Sequence, residues 1–118
     1  MEAIFINFTN HPSAAWDQKQ LEEARKYGVI QDIPFPNVDP QSSEADIKIL
    51  GNQYYAKIMS YQPAAVLCQG EFTLAVYVIE RLKKAGVTVL SACTKRIVTI
   101  NGEKKTSVFV FEQFREYI

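Results

Sequence analysis

Ala64-Ala65-Val66-Leu67-Cys68-Gln69-Gly70-Glu71-Phe72-Thr73-Leu74, extended to Gly86, is an apolar run that breaks at Gln69-Gly70-Glu71 and restarts with helical spacing. Strand, glycine turn and helix form the unit of an open α/β sheet. The helix start presents unpaired backbone N–H groups at the carboxyl edge of the strand. The helix is expected from Phe72, with Phe72, Ala75, Val76, Ile79 and Leu82 as its apolar face, Lys83-Lys84 in the last turn and Gly86 as terminator. A ligand site is expected at this turn, its ligand unnamed by the pattern.

Toward the N-terminus, Ala3–Phe8 reads as a strand buried on both faces, stopped by the turn chemistry of Thr9-Asn10-His11-Pro12-Ser13. Ser13 or Asp17 is the expected cap of a first helix reaching about Tyr27, with Gly28 beyond its end. Val29–Ile33 is a second strand, after which Pro34, Pro36 and Pro40 exclude regular structure. Ser42 or Ser43 opens a helix whose Ile47, Leu50, Tyr54, Ile58 and Tyr61 form one stripe, ended by Pro63.

Toward the C-terminus, Val87–Leu90 is a fourth strand and Ser91–Arg96 a polar, basic loop. Two further strands, Ile97–Ile100 and Thr106–Phe111, are expected to form a hairpin around Asn101-Gly102. The tail from Glu112 extends the last strand or makes one helical turn. The expected fold is α/β: a Rossmann-like, mostly parallel sheet flanked by helices on both faces, with a C-terminal antiparallel β-hairpin, in a single domain over residues 1–118. Right-handed crossovers place strand one between strands two and three. The winding reverses there, and open sheets bind ligands at that point.

Thirteen basic and thirteen acidic side chains cancel over 118 residues, so binding to duplex nucleic acid through many phosphate contacts is not expected. No apolar run is long enough to cross a bilayer and no secretory signal pattern opens the chain, so a cytoplasmic location is the expectation. Cys68 and Cys93 lack zinc-site spacing and there is one histidine, which leaves two buried free thiols and no metal or cofactor as the expectation.

Three loops are expected to meet at the carboxyl edge, bringing together Asn10, His11, Ser13, Gln69, Gly70, Glu71, Thr73, Ser91, Thr94, Lys95 and Arg96. Two adjacent cations and a helix start suit phosphate oxygens. The lone Gly70 makes neither a dinucleotide fingerprint nor a P-loop. His11 is either a proton-transfer group or a turn histidine bonded to backbone. Glu71 is a base, a ribose anchor or, more simply, a charge complementing the helix dipole. Lys95 and Arg96 either clamp a phosphate or are a solvated pair. Lys104-Lys105 at the hairpin tip are read as solubilising charges. Trp16 either stacks on a base or packs its helix onto the sheet. Phe109, Phe111, Phe114 and Tyr117 either complete the monomer's core or leave an apolar face that a homodimer would cover.

The βα-repeated core, the C-terminal hairpin, the Asn7–Ser13 segment and the Cys68-Gln69-Gly70-Glu71-Phe72 turn together resemble small stand-alone CRISPR-associated proteins of the CARF type, regarded as ring nucleases or cyclic oligoadenylate binders. The resemblance spans almost the whole chain. It implies a homodimer holding a cyclic oligoadenylate across its two-fold axis, with phosphates on the start of the third helix and near Lys95 and Arg96. It further implies metal-independent cleavage by attack of a ribose 2′-hydroxyl on the neighbouring phosphate, with His11 and Arg96 as catalytic groups for proton transfer and charge stabilisation. The alternatives are a non-catalytic binder of the same ligand, a small α/β protein-interaction module or a mononucleotide binder.

Overall fold

The computed structural model describes residues 2–118. The elements are β1 (Ile4–Phe8), α1 (Gln18–Arg25), β2 (Val29–Asp32), α2 (Glu44–Met59), β3 (Ala65–Cys68), α3 (Phe72–Lys84), β4 (Thr88–Asn101) and β5 (Lys104–Glu116), with a short 3-10 turn at Ser13–Ala15. They form one five-stranded sheet in the order β2-β1-β3-β4-β5, so β1 lies between β2 and β3 as its crossovers require. All neighbours are parallel except β4 and β5.

Each helix start is set by a side chain that takes up an otherwise unpaired amide. Asp17 caps α1 by accepting from the Gln20 N–H at 2.9 Å. Ser43 opens α2 in a reciprocal capping box with Asp46. Alternate residues of the inner strands feed two apolar clusters, as the pleat demands. Ile6, Phe8, Val66, Cys68 and Val89 pack with Ile58 of α2 and Leu74, Val78 and Leu82 of α3. Phe5, Ala65, Leu67 and Leu90 pack with Ala24 of α1 and with Trp16 and Phe114. The buried face of α3 is Leu74, Ala75, Val78, Ile79 and Leu82; Phe72 is 84% exposed and Val76 is exposed too, so the helix is rotated from the stripe expected of it. The cause is Leu74 and Val78, whose burial in the first cluster fixes the rotation.

The C-terminal third departs from expectation. Ser91–Arg96 is not a loop but the middle of the 14-residue strand β4, and the hairpin is the outer part of β4 paired along its length with β5, which gives five strands rather than six. Because β3 ends at Cys68, β4 runs on past its inner neighbour with only β5 beside it. From Thr94 to Phe109 every residue is exposed, so no buried face imposes the alternation that would have revealed a strand. The turn is Gly102-Glu103, with Gly102 at φ +65°, the position that two-residue hairpin loops reserve for glycine. A bulge places Cys93 opposite Gln113 but Thr94 opposite Phe111, leaving Glu112 unpaired. That extra residue brings Phe111 and Phe114 onto one face, ring centroids 4.8 Å apart.

Candidate functional site

The loop after β1 is held rigidly from below. Parallel register sets Asn7 beside Asp32, and Asn7 is 1% exposed. Its Nδ2 donates to Asp32 Oδ1 at 3.0 Å and to the His11 carbonyl at 2.9 Å, and its Oδ1 accepts from the Thr9 hydroxyl at 2.8 Å. Thr9 Oγ1 in turn accepts from the His11 N–H at 3.1 Å. The other oxygen of Asp32 accepts from both the backbone N–H and the hydroxyl of Ser13, each at 3.1 Å. Trp16 Nε1 donates to the His11 carbonyl at 3.1 Å, and the indole packs edge-on against Phe5. Every polar atom of Asn7 is satisfied, as burial requires. The His11 backbone is thereby fixed while its imidazole stays at the surface.

The loop after β3 is braced differently. Gln69 accepts from the Ala92 N–H through Oε1 at 2.7 Å, continuing the β3–β4 ladder with a side chain where β3 has ended, and its amide nitrogen remains a donor. A Cβ on Gly70 would lie 2.5 Å from the Phe35 ring, so the glycine makes room for a buried aromatic. Glu71 caps α3, accepting from the Thr73 N–H at 3.0 Å, the Leu74 N–H at 2.9 Å and the Thr73 hydroxyl at 2.7 Å. The Leu74 N–H chiefly, with Thr73, holds the Glu71 carboxyl below the usual carboxylate range. Of the sequence readings of Glu71, the one that complements the helix dipole describes this geometry. A phosphate at the start of α3 would meet a carboxylate already bonded to two first-turn amides.

Between these loops, on the α1 side of the sheet edge, lies a cavity of about 640 Å³. Trp16, Leu67, Phe109 and Phe111 supply apolar wall; Asn10, His11, Asp17, Gln69 and Thr94 supply polar groups. The volume falls within the range of small-molecule sites, and the mixture of aromatic wall with a few polar groups is typical of them. Five of the sequence candidates therefore line one cavity: Asn10, His11, Gln69, Gly70 and Thr94. The other six do not. Ser13 is tied to Asp32, Glu71 and Thr73 form the cap of α3, Ser91 lies within β4 opposite Arg115, and Lys95 and Arg96 stand on the exposed outer part of β4. Arg96 bonds the Ser107 hydroxyl across the hairpin, at 3.0 Å from Nη2. Among the described residues, no Lys or Arg lines the cavity.

Sequence reasoning missed Asn7 and Asp32, which shape the His11 loop, and Phe109 and Phe111 as cavity walls. For the first pair a signal existed: a polar Asn inside an apolar strand and an Asp at the end of its neighbour, which meet only once the parallel register is drawn. No helix among the described residues is long and apolar enough to cross a membrane.

No curated protein matches the sequence. Residues 3–115, nearly the full length and including every cavity-lining residue, match the family described as "Uncharacterized protein MJ1673 family", and the chain belongs to that family.

Proposed function

We propose that the carboxyl-edge cavity is a nucleotide site that receives an adenine base, and that the protein is a binder of an adenine-containing messenger of the cyclic oligoadenylate class. The observation that carries this reading is the composition of the cavity. Trp16 and Phe109 offer apolar surface for a base beside the buried Phe111, and the amides of Gln69 and Asn10 offer the donors and acceptors that a purine edge needs. The position supports it as well, since the site lies beside the switch point between β1 and β3. A Rossmann-like arrangement is part of the proposal, supported by helix contacts in both apolar clusters, with α2 and α3 in one and α1 in the other. The cyclic form of the ligand comes from the resemblance to CARF-type proteins, and a cytoplasmic site of action goes with it.

Binding without cleavage is preferred to ring-nuclease activity. Metal-free cleavage by a 2′-hydroxyl needs a proton-transfer group and a charge stabiliser at one phosphate. His11 lines the cavity, which favours the enzyme as the second reading, but Arg96 is engaged with Ser107 and does not line it. With no cation in the lining, the phosphates of a bound ligand would lie outward, toward solvent.

Calorimetric titration with cyclic tetra-adenylate and cyclic hexa-adenylate in EDTA, followed by chromatography of the ligand after prolonged incubation, tests both. Saturable heat with intact ligand is the expected result. Saturable heat with linear products carrying a 2′,3′-cyclic phosphate establishes the nuclease instead, and absence of binding to either ring and to AMP removes the nucleotide reading.

A further inference from the structure

Beyond the end of β3 at Cys68, β4 continues to Asn101 with β5 on one side and solvent on the other, and the two strands project as a ribbon in which Thr94 to Phe109 are all exposed. The edge of β4 turned away from β5 is an unfilled strand position. Its backbone parity is fixed from both ends. At the tip, Asn101 and Lys104 flank the two-residue turn, where an antiparallel pair exchanges both of its bonds. Thr99, Ile97 and Lys95 therefore bond β5, while Ile100, Val98, Arg96 and Thr94 turn their N–H and C=O groups to the open edge. At the base, the Ala92 N–H points the same way and donates to Gln69 Oε1 at 2.7 Å, a side chain filling the first rung after β3 stops. The next four rungs, Thr94 to Ile100, have no strand beside them among the described residues.

We propose that this open edge of β4 takes up an added strand, and that the strand is an extended segment of a partner protein in which two adjacent acidic residues adjoin a run of apolar ones. The edge is built for pairing. From Thr94 to Ile100 it holds no proline, glycine or bulge, and Thr94, Ile97, Val98, Thr99 and Ile100 are β-branched. The outer edge of β5 is guarded by contrast, with the unpaired Glu112 bulging it and Lys104 and Lys105 at its tip. Register excludes a body seated on the ribbon. Ile97 lies on one face and Val98 and Ile100 on the other, at 45%, 42% and 72% exposure, so a seated body reaches only one set, whereas a strand added at the edge sends alternate side chains beside both. Charge names the rest. Lys95 and Arg96 likewise stand on opposite faces at the base of the edge, and two successive acidic residues meet both. Residues 94–109 carry Lys95, Arg96, Lys104 and Lys105 against Glu103, a net of +3, so a like-charged ribbon is opposed and an acidic segment favoured. Duplex nucleic acid could answer the four cations, but it offers nothing to the open backbone rungs or to Ile97, Val98 and Ile100.

The strand site does not depend on what the cavity binds, although Thr94 belongs to both, and its failure leaves the nucleotide reading intact. The test uses the full chain with two fluorescein-labelled peptides, Glu-Glu-Val-Val-Thr-Val and its reverse, each on a Gly-Ser tail, to cover parallel and antiparallel pairing. Saturable anisotropy at micromolar protein is expected with one of them. Amide exchange followed by NMR gives the signature: in the free chain Thr94, Arg96, Val98 and Ile100 exchange faster than Lys95, Ile97 and Thr99, and the bound peptide slows the first set. Val98→Pro removes one open-edge N–H and no bond to β5, so it should abolish binding with wild-type circular dichroism. The double reversal Lys95→Glu/Arg96→Glu should weaken binding about tenfold or more, and a peptide with Lys-Lys in place of Glu-Glu should restore it. No binding of either peptide at millimolar concentration overturns the proposal, as does binding that leaves the exchange pattern unchanged or is indifferent to Val98→Pro. Slow exchange of the first set in the free chain that is lost on dilution overturns it in favour of a second copy. Binding of labelled duplex DNA but of neither peptide overturns it in favour of nucleic acid.

Discussion

Gly70→Ala separates a glycine that cradles a ligand from one that admits an aromatic ring. An added Cβ would lie 2.5 Å from Cδ1 and Cε1 of Phe35 and 2.6 Å from Cδ2, so it meets the face of the ring and not the tip of a flexible chain. Relief to an ordinary carbon contact needs a displacement of about 1 Å. The ring has little room to give: Phe35 is 5% exposed and lies against Phe8, centroids 4.7 Å apart, with Tyr54 on Phe8 in turn. Overpacking of this kind costs about 1–3 kcal/mol. Gly70 has no positive φ, so alanine also lowers the entropy of the unfolded chain, a gain of about 0.4–1 kcal/mol. The net expectation is a loss of about 1–2 kcal/mol. Urea denaturation of Gly70→Ala, Phe35→Leu and the double variant measures it. In the Phe35→Leu background the alanine is expected to cost under about 0.5 kcal/mol, a coupling of about 1 kcal/mol or more. A Gly70→Ala protein as stable as wild type, or a cycle without coupling, would refute the assignment of this glycine to Phe35.

Asn7→Leu takes one partner each from the Asp32 carboxylate, the Thr9 hydroxyl and the His11 carbonyl, which keep their bonds to Ser13, the His11 N–H and Trp16, and should cost about 1–3 kcal/mol by chemical denaturation, with faster amide exchange in the loop after β1. Burial pushes the Cys68 thiol up to about 12, so disulfide reagents at pH 8 should label the half-buried Cys93 and reach Cys68 only on unfolding. Since that thiol stays protonated in the fold above the ordinary value of 9.0, its contribution to stability is complete below pH 9 and falls as pH rises toward 12. Glu71 runs the other way. Its folded value is depressed below 4.5, so its cap stabilises fully above that pH and is lost as pH falls through the folded value. Glu71→Ala should cost about 1 kcal/mol at pH 7, and the gap from wild type should close on acidification of denaturation curves.

How much was legible depends on what buries each segment. β1 and β3 are covered on both faces, so they read as apolar runs, and α2 announces itself through the stripe Ile47, Leu50, Tyr54, Ile58 and Tyr61, every member of which packs in the first cluster. Strand order and the location of the edge follow from these elements and from crossover handedness. The ribbon was illegible for the opposite reason: a strand wet on both faces has no alternation to detect, and Ser91–Arg96 therefore passed for a loop. The same misreading placed Lys95 and Arg96 in the site. Gly70 is a site candidate in the sequence because it breaks the strand at the expected ligand turn, whereas the Phe35 ring that explains it sits in a proline-rich segment some thirty-five residues earlier whose packing has no local signature. Asn7 and Asp32 become partners only through parallel register.

Trp16 lines the cavity and is the only tryptophan of the chain, so its emission reports occupancy of the proposed site directly. Titration with cyclic tetra-adenylate should quench Trp16 saturably at micromolar ligand, with the curve shifted at least tenfold by Gln69→Ala. Emission unchanged up to millimolar concentrations of cyclic oligoadenylates and of AMP would contradict the account.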